Sequence, residues 1–124
     1  MPKTFLCLRV LCAFLLTAAI APAALAHAHL VSSAPAANAL VQGSPQQLVL
    51  TFTEGVEPRF SRIRLVGPLQ VTVPSAVLSS DNGDNTRLRV PLDKALPAGD
   101  YQVVWKVVSV DGHRTQGTYR FTVK

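Results

Sequence analysis

The chain has 124 residues and a formal charge of +5, from 12 Lys and Arg against 7 Asp and Glu; that length holds one small domain. Both cysteines, Cys7 and Cys12, lie near the start, so the rest of the chain can form no disulfide and offers no thiolate. Arg59, Arg62, Arg64, Arg87, Arg89, Arg114 and Arg120 are scattered through strand-like segments with few aromatics among them, a pattern of solubilising charge on outward faces rather than a nucleic-acid surface.

Met1 to Arg9 carries Lys3 and Arg9 and no acid, Val10 to Ala21 is apolar, and Ala24-Leu25-Ala26 is a small-x-small triplet after Pro22. This predicts a secretory signal peptide over 1–26, cleaved after Ala26. The apolar run is shorter than the roughly 20 residues a membrane span needs, and Val10-Leu11 before Cys12 lacks the small residue of a lipid-attachment box. The mature chain is expected to be one periplasmic domain, 27–124, with no direct membrane insertion.

Leu30 and Val31 predict a short first strand. Ser32 to Gln47, rich in Ser, Ala, Pro and Asn, reads as loop with at most one turn of structure. Leu48, Leu50 and Phe52 alternate with Val49, Thr51 and Thr53 in a half-buried strand, which Glu54 to Pro58 breaks. Ile63 and Leu65 alternate with Arg62 and Arg64. Val71, Val73 and Val77 predict one or two short strands around Pro74. Ser79 to Thr86 is a turn cluster in which Asn82-Gly83 suits a tight hairpin. Asp81 and Asp84 also invite a calcium reading, although the spacing is wrong for a twelve-residue loop and no distal Glu follows. Leu88, Val90 and Leu92 alternate next. Tyr101, Val103, Trp105 and Val107 form the buried face of a strand that ends in the turn Asp111-Gly112-His113, and Tyr119, Phe121 and Val123 alternate in the last strand. Seven or so short strands with Gly, Pro and Asn turns predict an all-β antiparallel sandwich or barrel.

Chemistry gathers at two places. Cleavage after Ala26 makes His27 the first residue, so its α-amine and imidazole Nδ1 can close one chelate ring; the reference pKa of an α-amine is about 8, and a metal displaces that proton readily near neutrality. Asp111 and His113, at i and i+2, can project the same way from the end of a rigid strand. Three nitrogens and one oxygen favour Cu(II) among first-row ions. A rival uses the same residues differently: free amine, Ala28 and His29 form a tripeptide that can wrap Cu(II) or Ni(II) in a plane, if the N-terminus is floppy. Leu30 and Val31 favour a pinned backbone and a surface or edge-strand His29.

From His27 to Ala36, from Leu50 through Glu54 to Ser61, and above all from Tyr101 through Val108-Ser109-Val110-Asp111-Gly112-His113 to Gly117, the chain resembles the CopC family of periplasmic copper-binding proteins. The resemblance implies a small Greek-key β-barrel or sandwich of cupredoxin-like or immunoglobulin-like shape. It implies one Cu(II) held by a histidine brace at His27 and completed by Asp111 and His113, with Glu54 orienting the amine. It implies no catalysis, but a copper carrier or buffer in homeostasis, resistance or uptake, serving an inner-membrane copper permease or another periplasmic copper protein. Two features depart from the family pattern: Gly55 stands where Pro is usual, and no Met-rich Cu(I) stretch is present, Met1 being the only methionine. Two other functions remain open at this level. A copper-dependent oxidative enzyme of the polysaccharide monooxygenase type shares the brace, and a metal-free adhesion or scaffold sandwich shares the strands. A blue-copper site is excluded because it needs a Cys thiolate.

Overall fold

Alternating apolar residues fold into two facing sheets in the computed structural model, which describes residues 27–124; the expected signal peptide, 1–26, lies outside the described residues. The strands are β1 (Leu30–Ala34), β2 (Leu40–Val41), β3 (Gln47–Phe52), β4 (Arg62–Val66), β5 (Val71–Val73), β6 (Ser79–Asp81), β7 (Asp84–Pro91), β8 (Gly99–Val108) and β9 (Arg114–Val123). One sheet has the order β1-β3-β7-β6 and the other β2-β9-β8-β4-β5. Short 3-10 turns cover Pro58–Phe60 and Ser75–Val77.

The core lies between the sheets. Leu48, Leu50, Phe52, Leu88 and Val90 from one layer meet Ile63, Leu65, Tyr101, Trp105 and Phe121 from the other, each large side chain contributing about 1.5–3 kcal/mol by leaving water. Phe52 and Trp105 pack edge-on across the layers, ring centroids 5.3 Å apart, and Tyr101 stacks on Phe121 within the second sheet. The Tyr101 hydroxyl donates to the Pro97 carbonyl at 2.7 Å, so its burial leaves no orphaned donor.

The expected alternation holds in β4, β7, β8 and β9, and in β3 except at Val49, which is buried as well; Asn82-Gly83 turns β6 into β7 with both residues at positive φ, 51° and 77°. Two local expectations differ. The segment Ser32 to Gln47 is mainly loop but also holds strand: β1 runs to Ala34, and β2 pairs in parallel with the end of β9, Leu40 opposite Thr122 and Val41 opposite Val123. A two-residue strand has no visible period, and its partner is distant in sequence. Val77 belongs to a 3-10 turn rather than a strand. Leu30 and Val31 do begin β1, and Val31 is exposed where the β1–β3 register shifts between Leu30 and Ser32.

β8 and β9 form the longest ladder, paired from Gly99↔Val123 to Val108↔Arg114. This hairpin carries the candidate site at its tip.

Candidate metal centre

The hairpin tip is built by backbone first. The Gly112 amide donates to the Ser109 carbonyl at 2.9 Å, and the Ser109 amide to the His113 carbonyl at 2.8 Å. Gly112 has φ +89°, a conformation glycine adopts without the cost a side chain brings. The Val110 amide donates to the Gly55 carbonyl at 3.0 Å and the Glu57 amide to the Val108 carbonyl at 2.7 Å, which lashes the turn after β3 to the tip.

On this frame Asp111 and His113 meet, as their spacing predicts: His113 Nδ1 lies 3.1 Å from Asp111 Oδ2. The Ser109 hydroxyl donates to Asp111 Oδ1. That hydroxyl, then the His113 side chain, holds the Asp111 carboxyl below its ordinary range. A carboxylate only accepts, so His113 Nδ1 is the donor in this pair; in the neutral ring that leaves the lone pair on Nε2. Asp111 Oδ1 also accepts from the His113 amide at 3.4 Å, so Oδ2 is the oxygen that retains a second lone pair. Sequence reasoning missed Ser109; its signal is the Ser-x-Asp spacing next to a strand end.

The His27–His29 segment arrives at the same place because both layers hold it. The Thr53 hydroxyl donates to the His27 carbonyl at 3.2 Å and accepts from the His29 amide at 3.0 Å. The Thr53 amide donates to the His29 carbonyl at 2.8 Å. From the other sheet, the Thr115 hydroxyl donates to the Ala28 carbonyl at 2.8 Å, and Ala28 is 0% exposed. The His27 ring stands edge-on to His113 with centroids 5.1 Å apart, and its buried Nδ1 has no hydrogen-bond partner among the described residues. An imidazole beside a second imidazole that is itself paired with a carboxylate suits a cation with nitrogen-oxygen preference.

The exposed His29 lies 6.4 Å from His27, centroid to centroid. The planar tripeptide mode needs the amide nitrogens of Ala28 and His29, and the His29 amide is engaged by Thr53. Glu54 is half-buried in the turn after β3; among the described residues it makes no hydrogen bond to His27, Asp111 or His113. Nor, among the described residues, do three His, Asp, Glu or Cys side chains form a ready metal cage. The calcium reading fails on local chemistry: Asp81 pairs with Arg87 at 3.1 Å, and Asp84 accepts from the Thr86 amide and hydroxyl at 3.0 and 2.6 Å. Tyr101, Trp105 and Tyr119, which a polysaccharide-binding face would need outside, are in the core.

Fold and site define the class first: a cupredoxin-like β-sandwich that gathers imidazoles and a carboxylate at one end. The chain belongs to the CopC family, whose CopC domain model matches residues 30–124, a range that includes Glu54, Asp111 and His113 and begins just after His29. Protein YobA of Escherichia coli strain K12 is 44% identical over 124 residues, all of both chains. The crystal structure of CopC from Methylosinus trichosporium OB3b superimposes with a TM-score of 0.69 at 33% identity, over 79% of this chain and 94% of that one. PcoC, described as a methionine-rich copper resistance protein from Escherichia coli, gives a TM-score of 0.64 at 32% identity, over 80% of this chain and 100% of that one.

Proposed function

We propose that this CopC-family chain is a copper-binding protein that works as a periplasmic carrier or buffer, holding one Cu(II) per chain and catalysing no reaction. Export and cleavage after Ala26 would free the His27 amine. The amine and Nδ1 of His27, an imidazole nitrogen of His113 and the Asp111 carboxylate then hold the ion, and Glu54 accepts from the amine. Release goes to an inner-membrane copper permease or another periplasmic copper protein. The observation that carries this reading is the approach of the His27 ring to His113 at 5.1 Å, with His27 Nδ1 buried and without a partner among the described residues. Binding is coupled to proton release, so affinity falls as the pH drops and the nitrogen donors take protons.

The test is a Cu(II) titration followed by electron paramagnetic resonance, on protein whose first residue is His27. An added N-terminal Gly and His113→Ala are each expected to weaken binding beyond the roughly 10–100-fold typical of a merely orienting residue, while His29→Ala changes little. Loss on His29→Ala with none on His113→Ala would establish the planar tripeptide mode in its place.

A further inference from the structure

The outward face of the five-stranded sheet holds a groove of about 960 Å³ beside the hairpin tip. Strand register builds it. Ile63, Leu65, Val103, Trp105, Val107 and Phe121 point inward, so the even-numbered neighbours on β4, β8 and β9 point out. Pairing sets Arg62 opposite Lys106 and Lys106 opposite Gln116, with Arg114 two residues before Gln116 at the start of β9. Arg59 joins from the 3-10 turn, and no Asp or Glu lines the groove. All four cations are exposed, and among the described residues none has a carboxylate within 4.0 Å. Residues 1–26 contain no Asp or Glu at all.

Solubility alone does not ask for this placement. Like charges directly opposite each other on neighbouring strands weaken a sheet, and four uncompensated cations around one concavity focus a positive field. Phe60 in the same lining is 67% exposed, and Arg with aromatic side chains is the composition of interface centres.

We propose that this groove docks an acidic segment of a partner protein, with its carboxylates on Arg62, Lys106 and Arg114 and an apolar side chain against Phe60. Arginine clusters recognise acidic motifs in this way. A protruding segment can enter a concavity that a flat anionic membrane would span without filling. Gly112 also lines the groove, so the docked segment runs beside His113. The surface stands independently of the copper reading, because its charges are present whether or not a metal is bound.

The test uses the exported chain with and without Cu(II). A fluorescent Asp/Glu-rich peptide carrying one Leu is titrated by anisotropy, against a counterpart with Lys for each acid and against phosphatidylglycerol vesicles. The acidic peptide is expected to bind and to weaken with salt, whose screening length is about 10 Å at 0.1 M. Lys106→Glu sets unlike charges opposite Arg62, so it should raise the unfolding midpoint while weakening the peptide about tenfold or more. Phe60→Ser should weaken it without changing the salt slope. Cu(II) titration of the same variants should match the parent, which separates failure of this surface from failure of the metal site. Equal binding of acidic and basic peptides, undiminished binding by Lys106→Glu, or capture by vesicles without peptide binding would each overturn the proposal.

Discussion

Gly117 has no side chain because Trp105 occupies the space: a Cβ there would lie 2.4 Å from Trp105 Cζ2. Gly117→Ala is therefore expected to destabilise the fold by about 1–3 kcal/mol, the usual cost of overpacking, read from the urea midpoint. Asp84 makes a different prediction. Its carboxyl is held below the ordinary 3.8, first by the Thr86 hydroxyl and then by the Thr86 amide. A depressed folded pKa contributes stability that is present above the unfolded value and lost as pH falls through the folded one. NMR titration should find its midpoint below 3.8, and Thr86→Val, which removes the hydroxyl but not the amide, should move that midpoint upward. At this scale the sequence was informative where spacing alone decides contact. Asp111 and His113 sit two residues apart and do meet. Ser109 was legible in its Ser-x-Asp spacing and was missed; Thr53 and Thr115 were invisible because their partners depend on which strand ends the fold brings together. For Glu54 the described contacts supply no link to the site.

The His27–His29 segment and the β8–β9 hairpin form the candidate site only together. Threonine hydroxyls fasten the segment, Thr53 beside β3 and Thr115 on β9. Thr53→Val with Thr115→Val keeps shape and removes those bonds. On the proposed reading, Cu(II) affinity should drop by about 10–100-fold, as for outer partners of other metal sites, with circular dichroism unchanged; equal affinity would mean the start of the chain needs no fastening. Strand elements were largely legible because alternation is a local signal. Leu48, Leu50, Ile63, Leu65 and Tyr101 were all placed on the buried side and are buried. β2 was not legible: its two residues sit among Ser, Ala, Pro and Asn, and only the remote Thr122 and Val123 make Leu40 and Val41 a strand. The cation groove was hidden for a related reason. Arg62, Lys106 and Arg114 are far apart in the chain, and register alone aligns them.

The whole sandwich relies on its apolar interior, since Cys7 and Cys12 are the only cysteines and neither falls in the domain. A protein of this kind is marginally stable, so an ion that binds only the folded form has a visible effect. At a free Cu(II) concentration one hundred times Kd the proposed site should add about 2.7 kcal/mol to the unfolding free energy. Calorimetry should show a rise in Tm that disappears in the variant carrying an extra N-terminal Gly. The row of Arg62 facing Lys106 across neighbouring strands has a consequence beyond the groove it lines. Two copies approaching through this side would bring positive rows against positive rows. The sheet therefore refuses its own kind: in a crowded compartment molecules turn other sides to one another, and the cationic side stays free of stacked duplicates.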